Sequence, residues 1–164
     1  MLHIQHIFLF YFLTVVRKPV GGGLTSGTVI GAKAKNPAIR VSVAEPKGAD
    51  DAAQSKACGR LITLSRTNTI ADGLRASLGN LTWPVIRDVV DAVITVEDVE
   101  ILEATRYCYR ILKVVIEPSA SIGLAAVQSD NFKKNPMSSS QNDWIVLSGG
   151  NADLNVLFES RKNL

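Results

Sequence analysis

KPVGGGLTSG, residues 18 to 27, is the stretch on which the fold turns. Three glycines follow a run that reads as a buried strand over residues 13 to 20. Leu24 to Lys35 then reads as a helix, stopped by Asn36-Pro37 because a residue before proline leaves the helical region. Strand, glycines, helix is the arrangement in which bare backbone N–H groups and a helix's positive end can meet an anion. The dipole alone favours a phosphate there by about 1 kcal/mol. The spacing is neither GxGxxG nor GxxxxGK[ST], so no nucleotide is specifically indicated, and a plain tight turn fits the same letters.

Outward from this stretch, helix and strand alternate. Ile39 to Ala44 alternates like a strand between Pro37 and Pro46. A short helix is expected around GADDAAQSKAC, a strand at GRLITL, and a loop-rich passage at TIADGLRASLGNLTWP. VIRDVVDAVITV reads as a short helix and then a strand. Thr95 to Val115 is the clearest helix, with Thr95 and Asp98 at capping-box spacing, acids in its first turn and bases in its last turns. Its expected apolar stripe is Ile101, Ala104, Cys108, Ile111, Leu112 and Val115. A helix opens at Pro118, NPMSSSQND is a surface loop, and DWIVLSGGN is a buried strand ending in a turn. Asn151 can cap a last helix through Phe158. Such alternation predicts an α/β domain with a mainly parallel sheet flanked by helices.

Composition narrows the partners. The 164 residues suffice for one domain burying about 70% of its unfolded surface. A net charge of +3, dispersed in single basic pairs, argues against nucleic acid. Both histidines, His3 and His6, lie in the first six residues, so chemistry in the body of the chain does without histidine. Cys58 and Cys108 make no CxxC spacing and no disulfide framework. Both are expected to be buried or partly buried thiols, in keeping with a reducing, cytoplasmic compartment. The apolar run from Ile7 to Val16 is too short to span a bilayer and has no basic residue before it, so neither a membrane span nor a signal peptide is expected.

In parallel sheets ligands bind where strands turn into helices at their carboxyl ends. The glycine loop is one such place. Leu147-Ser148-Gly149-Gly150-Asn151 is the other, where Ser148 either holds a heteroaromatic ring nitrogen or merely caps a turn. Glu45 and Asp51 form either a solvated acidic turn or part of a cation site. Glu117 reads as an extended residue before a helix-opening proline, and Lys113 as a helix-end lysine.

The order of these pieces, with AEPKGADDAAQSKACG, TNTIADGLRASLGNLTWPVIRDVVD, ILKVVIEPSASIGLAAV and IVLSGGNADL, resembles the serine racemases, plant forms especially. These belong to the tryptophan-synthase-β-like fold type II of pyridoxal-phosphate enzymes; serine and threonine dehydratases share TIADG and SGGN. The resemblance spans roughly residues 14 to 158. It implies that residues 13 to 164 are the C-terminal part of the large domain, with 1 to 12 unmatched. It implies pyridoxal phosphate as cofactor, its phosphate on Gly21, Gly22, Gly23 and Leu24, its pyridine nitrogen on Ser148, and Glu117 near the ring. It implies a Mg²⁺ or Ca²⁺ ion on the Glu45 and Asp51 carboxylates and the Ala49 carbonyl, an all-oxygen set suited to a hard cation. It implies ATP as an allosteric ligand touching Lys113 and Asn151 at a homodimer interface. The substrate implied is serine, interconverted between its two hands and dehydrated to pyruvate and ammonia.

Departures accompany the resemblance. Three small residues are counted in the phosphate loop where the family has four, and Ala120 replaces a usual glycine. Arg17 and Lys18 stand where apolar strand residues are usual, which predicts a displaced or frayed strand. None of the nine lysines lies in the S-F-K-x-R-G segment that carries the family's Schiff base, and S-S-G-N-H, with its catalytic serine, does not occur. The expectation is therefore a truncated form, inactive alone, with an exposed sheet edge where its other half belongs. A non-catalytic partner of an intact subunit, a dehydratase-like fragment, and a phosphate-binding domain unrelated to amino acids are the alternatives.

Overall fold

A computed structural model describes residues 12–17, 21–134 and 142–152. Four strands are described: β1 (Phe12–Arg17), β2 (Arg40–Pro46), β3 (Ala92–Val96) and β4 (Asn142–Ile145). They form one parallel sheet in the order β3-β2-β1-β4. Around it lie helices α1 (Gly23–Lys35), α2 (Asp51–Cys58), α3 (Trp83–Asp88), α4 (Asp98–Tyr107), α5 (Pro118–Gln128) and α6 (Asp130–Lys133). The α/β reading and the parallel sheet are those the sequence predicts.

Helices cover both faces of the sheet. Val41 and Val43 of β2 face one core with Val29, Ala52, Leu78, Trp83 and Ile86. Ala44 of β2 faces the other with Ile94, Ile101, Ala104 and Ile122. β2 is thus buried from Val41 through Pro46, the continuous burial of a central parallel strand, not the one-sided alternation its letters suggest. Two side chains staple the first layer. The Lys33 ammonium bridges the Ile39 carbonyl at 3.0 Å and the Asp91 carboxylate at 2.8 Å, while Asp91 accepts the Val41 N–H at 2.7 Å. The Lys56 ammonium donates to the Ile86, Arg87 and Val90 carbonyls at the end of α3, and its partial burial holds its pKa below the usual value.

Several expectations give way to packing. GRLITL is not a strand: the Ile62 N–H goes to the Ser55 hydroxyl at 2.8 Å, so the segment lies against α2 and leaves the sheet alone. The capping box of α4 is Glu97 and Glu100, not Thr95 and Asp98. Thr95 is still in β3, paired with Glu45, and Asp98 instead holds the Thr69 hydroxyl at 2.6 Å and the Ile70 N–H at 3.0 Å. The helix expected to reach Val115 ends at Tyr107, followed by a wide π turn over Cys108–Leu112. Widening the turn rotates the stripe out of the core. Cys108 stays buried, but Ile111 is 59% and Val115 64% exposed, and Leu112 is exposed with them. β4 is an edge strand, not a buried one, and its Trp144 is 64% exposed. β1 is neither displaced nor frayed: its backbone pairs in register up to Arg17 opposite Ala44. Lys18, residues 1–11, most of NPMSSSQND and the helix expected after Ala152 lie outside the described residues.

The cysteines differ from each other. Cys108 is buried, which pushes its thiol up, but Cys58 ends α2 in the open. A thiol-exchange reagent is therefore expected to titrate one cysteine quickly in the folded chain and two in denaturant. Mass spectrometry should place the fast label on Cys58; labelling of Cys108 first would contradict this packing.

Candidate functional site

All four strands run parallel, so their carboxyl ends open on one side of the molecule. β1 leads to the glycine loop, β2 ends at Glu45-Pro46, and β4 leads to Ser148. From β1 the chain moves through β2 to β3, then returns to place β4 on the opposite side of β1. That reversal makes a crevice between β1 and β4, the place where open α/β sheets hold ligands. The glycine loop and Ser148 stand on its two sides.

Gly21 and Gly22 both have positive φ, 71° and 83°, and Gly22 caps α1. Among the described residues nothing lies within 4 Å of where a Cβ would sit on Gly21 or on Gly23. At Gly22 a Cβ would meet Leu78 Cδ1 at 2.7 Å and Thr82 Oγ1 at 2.9 Å. Gly22 is thus packed against Leu78 and Thr82, while Gly21 and Gly23 have room for a Cβ among the described residues. Leu24, the fourth residue of the expected cradle, is exposed in the first turn of α1.

Across the crevice, the Ser148 hydroxyl oxygen is buried and has no hydrogen-bond partner among the described residues. Such an atom costs about 1–3 kcal/mol unless something outside the described residues satisfies it. Gly149, at φ 99°, is pressed against Glu117: an added Cβ would sit 2.7 Å from Glu117 Oε1. The Glu117 N–H donates to the Gly149 carbonyl at 3.3 Å. A third stretch of chain joins them, because a Cβ on Gly73 would lie 3.6 Å from Glu117 Oε1 and 3.0 Å from Ser119 Oγ. The Gly73 N–H donates to Ser119 Oγ at 3.0 Å and to Asp72 Oδ1 at 2.8 Å. Glu117 thus packs between Gly149, the residue after Ser148, and Gly73.

The acidic turn is not solvated. Glu45 and Ala49 are 0% exposed and Asp51 1%. Glu45 accepts the Ala52 N–H at 3.1 Å on one oxygen and the Ala53 N–H at 2.9 Å on the other, capping α2 from β2. Asp51 accepts the Leu78 N–H at 2.7 Å. Lys47, between them in sequence, turns outward to the Glu97 carboxylate, which raises its pKa. Among the described residues no cluster of three or more histidine, cysteine, aspartate or glutamate side chains assembles, so a cation here would need the Ala49 carbonyl as its third protein ligand. Lys113 ends the π turn at φ 58°, a left-handed position usually filled by glycine. Its segment runs beside the SGGN turn, since a Cβ on Gly150 would lie 3.1 Å from the Val115 carbonyl. Lys113 and Asn151 are both exposed there.

Sequence reasoning did not reach Leu78, Gly79 and Thr82, which grip the glycine loop. The Gly79 N–H and the Thr82 hydroxyl both donate to the Gly21 carbonyl, the former at 3.2 Å. No spacing rule joins residues 61 positions apart, and the only hint was a glycine and a threonine inside a passage read as loop.

Residues 14–149 match the family described as pyridoxal-phosphate dependent enzyme. Among curated proteins, a serine racemase of Arabidopsis thaliana is 62% identical over 144 residues, covering 87% of this chain and 44% of that protein. The chain thus spans about half the length of the curated relatives it matches. Among solved structures, maize serine racemase has a TM-score of 0.85 at 55% identity, covering 94% of this chain and 47% of that one. A threonine deaminase from T.th. has a TM-score of 0.78 at 37% identity, covering 88% and 50%. Among the described residues, no helix is long and apolar enough to cross a membrane.

Proposed function

We infer the function from one premise: this chain belongs to the pyridoxal-phosphate dependent enzyme family. We propose that it carries the phosphate-binding and ring-nitrogen half of a serine-racemase-like site. The observation that carries this reading is the Ser148 hydroxyl, buried and without a partner among the described residues, after the strand β4 that pairs with β1, from which the chain enters the glycine loop.

The residues fit the cofactor. Gly21, Gly22, Gly23 and Leu24 offer backbone N–H groups and the positive end of α1 to its phosphate. Ser148 would offer a neutral hydroxyl to its ring nitrogen, and Glu117, which packs against Gly149 and lies near Gly73, would stand beside the ring. Bound pyridoxal phosphate supplies an electron sink for the carbanion left when an amino acid loses its α-proton. A serine at the ring nitrogen carries no charge of its own, which moderates that sink and suits racemisation and β-elimination. The proposed reaction is the interconversion of L- and D-serine, with dehydration to pyruvate and ammonia beside it.

Racemisation needs a base on each face of the α-carbon. With neither family motif for those bases in the sequence, we infer that the 164 residues alone bind cofactor without turning serine over. Turnover would come from an assembly that supplies the lysine, in the cytoplasm and as a homodimer. Glu45, Asp51 and the Ala49 carbonyl are proposed to take Mg²⁺ or Ca²⁺, on the strength of an all-oxygen, buried donor set. Lys113 and Asn151 are proposed to meet ATP, because they are exposed on neighbouring segments.

Cofactor binding tests the reading. Ser148→Ala is expected to weaken pyridoxal phosphate about tenfold, the loss of one hydrogen bond in a dry site. The cofactor-free variant should melt no lower than the parent, because the hydroxyl it loses has no partner among the described residues. Equal affinities, measured by fluorescence titration, would take Ser148 out of the site and remove the reading's main support. A serine/threonine dehydratase is the second reading, favoured by the likeness to the threonine deaminase fold at 37% identity. Product analysis of an assembly completed with the missing motifs separates them: D-serine from serine against 2-oxobutyrate from threonine.

A further inference from the structure

We propose that Thr82 is a positioning residue for the cofactor phosphate, acting through the Gly21 carbonyl. The inference rests on the cofactor reading above and adds to it a residue remote in sequence.

Thr82 occupies the N-cap of α3, where a threonine ordinarily turns its hydroxyl back onto the helix's own free N–H groups. Here it makes no such bond. Its hydroxyl donates instead to the Gly21 carbonyl, with the Gly79 carbonyl 3.0 Å away as the alternative acceptor. The Gly79 N–H also donates to Gly21, and Leu78 bridges Gly21 as a one-residue parallel pair. The clamp is anchored from behind, because the Leu78 N–H is held by the buried Asp51 carboxylate at 2.7 Å.

The consequence for the loop follows from peptide geometry. No peptide bond described is cis, so the Gly21 carbonyl and the Gly22 N–H point in opposite directions from one rigid plane. Fixing the carbonyl toward Thr82 therefore aims the Gly22 N–H away from Thr82, in a loop where added Cβ atoms on Gly21 and Gly23 would meet none of the described residues within 4 Å. At φ 71° and 83°, two consecutive glycines have no side chain to restrain that plane, and glycine explores more backbone than any other residue. The Thr82 hydroxyl adds a second restraint to the one the Gly79 N–H supplies. Removing the hydroxyl leaves the carbonyl held by the Gly79 N–H alone, at 3.2 Å, so the fold loses little while the plane gains freedom and the Gly22 N–H is aimed less sharply.

The test compares pyridoxal phosphate with pyridoxal, which lacks the phosphate, on the full chain. Thr82→Val, nearly the same shape without the hydroxyl, is expected to bind pyridoxal phosphate about tenfold more weakly while pyridoxal binding changes less than about twofold. Thr82→Ser, which keeps the hydroxyl, is expected to restore the parent affinity. Should Thr82→Val not fold, Thr82→Ala carries the same comparison. Unchanged affinity for pyridoxal phosphate, or an equal loss for both compounds, would overturn the proposal. A parent chain that does not prefer the phosphorylated compound would overturn the cofactor reading itself, and this inference with it.

Discussion

Gly48→Ala is expected to be the most damaging single methyl that can be added to this chain. Its Cβ would sit 1.7 Å from the Asn68 carbonyl oxygen and 2.8 Å from the carbonyl carbon. Neither atom is the tip of a side chain that can swing away. The two segments are also tied, the Asn68 N–H donating to the Gly48 carbonyl at 2.9 Å. Relief requires moving one backbone off the other, which breaks that bond and shifts the turn Lys47–Ala49 between β2 and α2. Overpacking of this kind costs about 1–3 kcal/mol where side chains can adjust, and more where backbone must. A loss of at least about 3 kcal/mol is expected, read as a lower urea midpoint with an unchanged slope. A midpoint equal to the parent's would mean that the turn does not rest on Asn68.

Removing the Glu45 carboxylate is the second large effect expected. In Glu45→Ala the buried Ala52 N–H and the partly buried Ala53 N–H at the start of α2 lose their acceptors, and a cavity replaces the fully buried side chain. Unsatisfied buried donors cost about 1–3 kcal/mol each, so a loss of about 3–5 kcal/mol is expected. Glu45→Gln should lose less, since its remaining oxygen keeps one amide while its NH₂ opposes the other. The same pair of variants probes the cation. Mg²⁺ or Ca²⁺ at a hundredfold excess over its dissociation constant should stabilise the parent by about 2.7 kcal/mol, and neither variant should respond. A parent that melts at one temperature with and without either ion would reduce Glu45 to a helix cap.

Glu45 shows where reading letters stops. Two carboxylates beside a glycine looked like a solvated turn or an ion site, and the residues alone could not choose. Burial removes the solvated turn, because Glu45 ends a central strand covered on both faces. Cys58 and the run Ile111 to Val115 went the other way, apolar letters that ended in the open. Helical periodicity assumed 3.6 residues per turn to Val115, and the π turn after Tyr107 broke that period without any glycine or proline to announce it.

Local chemistry and motif order were legible in the residues. Glycines set positive φ before α1, Asn36-Pro37 ended that helix, alternating elements required a parallel sheet, and the long motifs placed the chain in its family. Pairings between residues far apart in sequence emerge from the fold alone. Strand order β3-β2-β1-β4 set Ser148 across from the glycine loop, and Glu117 against Gly149. It also gave Asp51 a backbone partner at Leu78, and Thr82 its carbonyl at Gly21. Local propensity fixes two dihedral angles at a time; such pairings arise only when the sheet closes and buried polar groups must find partners wherever the fold has put them.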